Sequence, residues 1–347
     1  MATYLYPPNL ELQRIDQTLM SELTLDDPIF EMFPIRESKD AMVQWEQKDS
    51  YSGLQQLRGY NGSPNSVPNI GSKRFMKLPG VFGEMDPIYE LEITQRAAFA
   101  SLDQPIDIGD LIAERQEKLM HRQVNRMRNI LWTLVGTGVY QVLDKQGAVL
   151  EQDAYVPQSA PSAIPWSTSA TATPLADFRA VQLLSRGQSV DFGPSAKAFM
   201  TQKTFNNFIS NTNLNDLGGR RTEGLASIEG LADANKILLK DGLPQIVIWD
   251  KGWLADPVGG AASVFTLWIP DNRAIVVGSR QNKARIGEFL LTRSAQNKNG
   301  AATPYLRVIQ RGFGDNEPPP AQVEVHRGFN GGPAVHYPGA VALMTGL

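Results

Sequence analysis

The sequence predicts an α+β fold laid out around one long helix, and three observations carry that expectation. From Pro105 to Leu143, apolar residues recur at helical spacing, with no Pro or Gly between Asp110 and Val135. Before this stretch, a long Gly/Pro-rich excursion separates two segments that read as strands. After residue 260 the chain is mostly short apolar runs broken by turn residues, the pattern of successive strands.

The helix rests on Ile108, Leu111, Ile112, Leu119, Met127, Leu131, Leu134 and Val135, whose spacings of three, four and their multiples draw one stripe along a period of 3.6. Asp107 or Asp110 suits the N-cap, where a carboxylate accepts from unpaired first-turn amides. Acids lie early (Asp110, Glu114, Glu117) and bases late (Arg122, Arg126, Arg128), as the helix dipole favours. The expected span, 108–143, far exceeds the usual helix of about 11–12 residues, so this element is expected to be a spine with sheets laid against it.

Residues 1–40 read as an arm. Pro7-Pro8, Asp27-Pro28 and Phe33-Pro34 break long elements, leaving room for a short helix over Pro8–Met20. Phe30, Met32, Phe33 and Ile35 then need an apolar partner surface, either the body of the same chain or a neighbouring copy. Residues 41–51 read as a strand with Val43 and Trp45 on one face, and Ile88–Thr94 alternates Tyr89, Leu91, Ile93 against Glu90, Glu92, Thr94. The excursion between them is expected to be an extended hairpin over 41–95, stabilised by lying on another subunit, because a lone two-stranded hairpin is marginal in water. Lys73, Arg74 and Lys77 are expected to face Glu84, Asp86 and Glu90 across it, or to meet a neighbour.

Beyond the helix, Gln146-Gly147 makes a turn, and residues 156–174 form a Pro/Ser/Thr-rich loop. Thr173-Pro174 opens a second helix that buries Leu175, Phe178, Val181 and Leu184 and stops at Gly187. Residues 188–255 read as a mixed α/β unit. Ala196–Met200 is a strand, Thr201 caps a helix carrying Phe205, Phe208 and Ile209, and Gln245–Trp249 is a strand apolar on both faces. Val264–Ile269 and Ala274–Val277 are strands joined by Pro270-Asp271-Asn272. Glu288–Thr292, Leu306–Gln310 and Ala340–Met344 follow as strands.

Composition and motifs mostly exclude. Hydrophobic content of 42% with 20% charged residues is that of a soluble globular protein. The net charge of −3 argues against sequence-specific DNA binding, which needs a basic surplus, though not against enclosing DNA. There are no cysteines, hence no disulfide framework or thiolate zinc site. The N-terminus lacks a secretory pattern, and no run reaches the ~20 apolar residues of a membrane span, so a cytoplasm-like compartment is expected. No P-loop, third-glycine dinucleotide motif or GxSxG elbow is present, and His121, His326 and His336 are not at metal-ligand spacing. Asn61-Gly62-Ser63 is read as a turn, and Gly218-Gly219-Arg220-Arg221 as an inter-subunit loop or an anion site. No catalytic, cofactor-binding or metal residues are assigned.

Three short stretches carry a resemblance. Ala198-Phe199-Met200 leading through Thr201 into a helix with Phe205 and Phe208, the segment Trp268-Ile269-Pro270-Asp271-Asn272-Arg273-Ala274-Ile275-Val276-Val277, and the ending Tyr337-Pro338-Gly339-Ala340-Val341-Ala342-Leu343 resemble the lambda-like major capsid protein E family of tailed bacteriophages. The order arm, excursion, long helix, α/β unit and β-rich return is similar to the Hong Kong 97-type fold of that group. The resemblance implies an N-terminal arm at 1–40, an extended loop at 41–95 and a peripheral domain at 96–187 with its spine helix. It also implies an axial domain at 188–260, a β-rich return at 261–330 and a C-terminal strand of the axial domain at 331–347. It implies a structural protein whose copies form hexamers and pentamers of an icosahedral head around packaged DNA, assembled in the host cytoplasm and located in the virion. Portal and decoration proteins would be partners. Few residues precede the arm, so a separate scaffolding protein or earlier loss of a propeptide is expected. Phe30, Phe33, Trp45, Lys73, Arg74, Lys77, Glu84, Asp86, Arg220 and Arg221 are the expected inter-subunit contacts. Deleting Ser52–Met85 is expected to abolish assembly yet leave a folded body. A cellular encapsulin-like compartment, or a soluble enzyme, are the alternatives.

Overall fold

The computed structural model describes residues 19–25, 27–48, 54–58, 60, 62–64, 66, 72–97, 108–143, 148–154, 158–188, 190–212, 214, 230–254, 262–279, 286–297, 300–311 and 322–347. Residues 19–25 are helical, and α1 (Pro28–Met32) follows, with Pro28 in its first turn. The Asp27 carboxylate accepts from the Ile29 N–H at 3.1 Å, which starts α1. β1 (Ile35–Glu37) leads to an antiparallel pair, β2 (Val43–Lys48) and β3 (Ser72–Lys77), in register from Val43↔Lys77 to Lys48↔Ser72. β4 (Gly80–Tyr89) runs directly into α2 (Glu90–Ala97), and the spine is α3 (Gly109–Thr137).

Four expectations change here. The hairpin is β2–β3, and β4 is not its second strand. Ile88–Thr94 is split between the end of β4 and α2, and it buries Ile88 and Ile93 against Ile108, Ile112 and Leu119 while Tyr89 and Leu91 stay exposed. The spine stops at Thr137 because Gly138 adopts the left-handed conformation (φ 74°) and its N–H closes on the Leu134 carbonyl, so 139–143 becomes a strand. Its start carries no side-chain cap: Ile108 holds that position, Asp110 lies inside the first turn, and Asp107 is outside the described residues. The short helix expected over Pro8–Met20 lies almost wholly outside them too.

After α3 come β5 (Val139–Leu143) and β6 (Val149–Ala154), a second antiparallel pair, then β7 (Gln158–Pro161) and α4 (Pro174–Leu184). β8 (Lys197–Met200), α5 (Gln202–Ile209), α6 (Leu231–Lys240) and β9 (Gln245–Ile248) make the α/β unit. Thr201 caps α5 as expected, accepting from the Thr204 N–H at 3.4 Å while its hydroxyl donates to Asp271 at 2.8 Å. A third pair, β10 (Gly252–Leu254) with β11 (Phe265–Leu267), precedes β12 (Arg273–Val277), β13 (Gly287–Leu291), β14 (Tyr305–Arg311), β15 (Gln322–Val335) and β16 (Val341–Thr345).

Two five-stranded sheets organise these parts. In the first, β15 pairs antiparallel with β4 along one edge and with β14 and then β13 along the other, and β1 adds in parallel to β13. The second runs β7-β16-β12-β8-β9. Side chains alternate across a strand, and β12 shows what that does. Ile275 and Val277 enter one core with Met127, Leu131 and Trp132 of the spine, and Ala274 and Val276 enter another with Phe178 of α4, Phe208 of α5 and Ile237 of α6. The second sheet is thus covered on both faces, which is why its inner strands β8, β12 and β16 read as apolar runs, while the edge strand β7 (QSAP) lies within the stretch expected to be loop. The first core also takes in Phe289 and Phe329 of the first sheet, so the spine is the shared wall between the two sheets. Among the described residues, no helix is long and apolar enough to cross a membrane.

Candidate assembly surface

The candidate contact residues fall into distinct environments. Phe30 (7% exposed) and Phe33 (0%) point into the first core of their own chain, beside Met32, Met127 and Phe289. That choice corrects their assignment as contacts, because neither presents surface to a neighbour. Two polar ties hold the segment there. Arg128 of the spine pairs with Asp27 at 2.5 Å and donates to the Leu23 carbonyl at 2.7 Å.

Trp45 is also mostly turned inwards, at 7% exposed, in a small cluster with Val43, Leu290 and Ala334. Its ring stacks on Phe75 across the hairpin at 5.2 Å, and the Lys77 ammonium lies 5.8 Å from its centre. Gln47 donates to the Val335 carbonyl at 2.8 Å, fixing the base of the hairpin to β15. Lys73 and Arg74 lie opposite Gln47 and Glu46 in register and are exposed. The basic side of the hairpin therefore does not face Glu84 and Asp86.

Those acids belong to β4, and β4 lies along the spine. Glu84 accepts from Arg122 (2.9 Å), Asp86 from Lys118 (2.7 Å), and Glu92 of α2 from Arg115 (2.8 Å). Positions 115, 118 and 122 follow the three- and four-residue spacing of one helix face, so the three pairs form a ladder inside the chain. Arg220 and Arg221 lie outside the described residues.

Beyond this pinned base the hairpin changes character. Between β2 and β3, Leu54 (97% exposed), Leu57 (98%) and Tyr60 (104%) have essentially no cover from their own chain. Large apolar side chains left so bare mark an interaction surface. The β3–β4 segment adds Met76, Leu78 and Val81, all exposed. Sequence reasoning located this loop by its lack of periodicity but singled out its charges, and it missed Leu54, Leu57 and Tyr60. Their isolation among Gly, Gln, Asn and Ser was the available signal.

Chemistry is sparse by contrast. Among the described residues no group of three or more His, Asp or Glu could hold a metal. His121 is exposed beside Glu117 at 3.9 Å, His326 meets Glu324 at 2.7 Å, and His336 meets the Glu46 carbonyl at 3.2 Å.

Comparison with known proteins decides the family. The sequence profile described as phage major capsid protein E matches residues 29–288. The chain belongs to this family. No curated protein sequence matches it. Its fold is similar to that of a prophage protein from Escherichia coli CFT073 assigned as a capsid protein, with a TM-score of 0.54, 11% identity, and 95% of this chain and 98% of that one covered. It is similar also to a phage-related protein from Bordetella bronchiseptica RB50, with a TM-score of 0.52, 10% identity, and 95% and 96% covered. The expected Hong Kong 97-type α+β fold is the one observed, and the role that comes with family membership is that of a structural shell protein.

Proposed function

We propose that this major capsid family member polymerises through hexamers and pentamers into an icosahedral head around packaged phage DNA, without enzymatic activity of its own. The body carries its own cores, yet Leu54, Leu57 and Tyr60 stand 97%, 98% and 104% exposed at the far end of a two-stranded hairpin. That single observation supports the reading, since a neighbouring copy in a shell would cover these side chains. One chain must make several non-identical contacts in a closed shell, and a projecting loop permits this. The domain divisions of the family apply on this reading: arm 1–40, extended loop 41–95, peripheral domain 96–187, axial domain 188–260 with the C-terminal strand 331–347, and β-rich return 261–330. A separate scaffolding protein, a portal and a decoration protein are the proposed partners, with assembly in the host cytoplasm and the virion head as destination.

The test shortens the loop. β4 supports β15 along its length, so the deletion stops before it: residues 50–71 are replaced by a short Gly/Ser turn. The purified parent is expected to form particles or capsomers in sedimentation and negative-stain micrographs. The shortened chain is expected to keep its melting transition but sediment as a monomer, and particles of normal size from it would overturn the proposal.

A further inference from the structure

A cleft of about 760 Å³ opens between β4, the middle of the spine and the β10–β11 pair. Three arginines and one glutamate line it (Arg122, Arg126, Arg327 and Glu84), a cationic surplus in a chain whose net charge is −3. Glu84 is occupied by Arg122. Arg126 is exposed, its guanidinium 5.9 Å from the centre of the Phe82 ring. Deeper in, Gln123 is 6% exposed, and its Oε1 accepts from the Arg327 Nε at 2.6 Å. That bond fixes the amide orientation and leaves Nε2, a buried donor, without a partner among the described residues. A buried orphan donor is destabilising, and an incoming acceptor would relieve that. The far wall is aromatic: Trp253 and Trp268 stack at 4.5 Å, with Leu254 66% exposed at the rim.

Donors at the floor and apolar surface at the rim fit a carboxylate flanked by large apolar side chains. The described surface offers such a group at the β4–α2 corner. Tyr89 is 55% exposed, Leu91 is 68% exposed, and Glu90 between them is exposed with no cation paired to it among the described residues. Three acids near other bare apolar residues are already engaged: Glu84 by Arg122, Asp86 by Lys118, Asp27 by Arg128. The corner cannot reach the cleft of its own chain. Even Glu84, the cleft residue nearest to it on the strand, is five positions from Tyr89, roughly 17 Å at about 3.3 Å each, and Phe82 beside Arg126 is seven positions away, roughly 23 Å.

We propose that the cleft receives the Tyr89-Glu90-Leu91 corner of a second copy, Glu90 meeting Arg126 and the Gln123 amide, and Tyr89 and Leu91 covering Trp253 and Leu254. The contact is head-to-tail, the kind that closes rings. It rests on the shell reading and adds a specific address to it.

The chain has no cysteine, so an engineered pair reports the contact without background. Leu91→Cys and Leu254→Cys, both at exposed positions, are placed in one chain and treated with a short bismaleimide. A ladder of covalent oligomers is expected on a denaturing gel, with neither single variant giving more than a trace. Glu90→Arg or Arg126→Glu alone should slow the ladder about tenfold, and the two together should restore it. Arg126→Gln serves if Arg126→Glu melts early, and should slow the ladder too. Particles from the parent with no ladder would overturn this contact and leave the shell reading standing. A parent that forms no particles would overturn the shell reading, while the ladder, read at high protein concentration, still decides the contact. A cleft that serves nucleic acid would give no ladder but salt-dependent retention of a labelled oligonucleotide, lost in Arg126→Glu, and that too would overturn the proposal.

Discussion

Phe33→Ala tests whether the N-terminal segment belongs to its own body. Phe33 is 0% exposed, and its ring lies so close to β13 that a Cβ added at Gly287 would sit 3.0 Å from it. Truncating a buried Phe to Ala costs about 3–5 kcal/mol through lost transfer energy and the cavity left behind. The site has little freedom to collapse: α1 is held by the Asp27 cap, and Arg128 ties Asp27 to the spine. We therefore expect about 4 kcal/mol, a large share of the roughly 5–15 kcal/mol that holds a typical domain. With a urea slope of about 3 kcal/mol per molar, the midpoint should fall by about 1.3 M. Trp132 and Trp249 sit in the same core, so their fluorescence follows its loss in the unassembled protein. Leu57→Ala, at a residue 98% exposed, is the control and should move stability by less than about 0.5 kcal/mol. A Phe33→Ala shift as small as that of Leu57→Ala would refute the docking of this segment on its own chain.

Other perturbations separate the remaining contacts. Gly83→Ala places a Cβ 2.3 Å from the Tyr305 hydroxyl, with the Arg327 carbonyl next at 3.9 Å, so it should cost about 1–3 kcal/mol and be rescued by Tyr305→Ala. Gly328→Ala also meets the Phe82 carbonyl at 2.2 Å, so the same second change should not rescue it, and thermal melts of the four variants check the asymmetry. Arg128→Met leaves Asp27, whose side chain is 5% exposed, without its cation and should cost about 3–5 kcal/mol. Lys118→Met removes a pair whose lysine is 56% exposed and should cost less than about 1 kcal/mol, and less again at high salt. Burial raises the Tyr305 phenol above its ordinary 10.0, against the pull of Arg307. Below pH 10 the folded and unfolded chains both keep this proton. As pH rises further the unfolded chain releases it first, so stability falls, and Tyr305→Phe should flatten that alkaline loss in denaturation curves.

Elements whose environment is written in their own residues were legible. β12 shows both of its cores in Ala274-Ile275-Val276-Val277, and Thr201 is followed at once by the helix it caps. β15 was not legible, although it is the centre of the first sheet. Gly328, Gly331, Gly332 and Pro333 punctuate it like a loop. Two of these glycines answer to strands far away: a Cβ at Gly328 would lie 2.2 Å from the Phe82 carbonyl, and one at Gly331 would lie 2.4 Å from the Leu290 carbonyl. Close packing across the sheet thus erased the local strand signal. The charge ladder failed to appear for a related reason. Arg115, Lys118 and Arg122 show their helical spacing, and Glu84, Asp86 and Glu92 are plain in the sequence. Only the pairing of β4 with β15 brings β4 over the spine rather than over β3.

The same topology divides the candidate contacts physically. The ladder and α1 are closed within the chain: Arg115, Lys118, Arg122 and Arg128 each meet an acid, and Phe33 is fully buried. The hairpin is held at its base on β15 and β13 instead, through Gln47 and the Val43–Trp45 cluster. Among the described residues Leu54, Leu57 and Tyr60 have no such closure, and Glu90 and Arg126 have no ion pair. A large apolar surface left bare after a chain has packed its own cores marks a place where another molecule binds. In a protein that repeats around a shell, the nearest supply of the matching surface is the next copy.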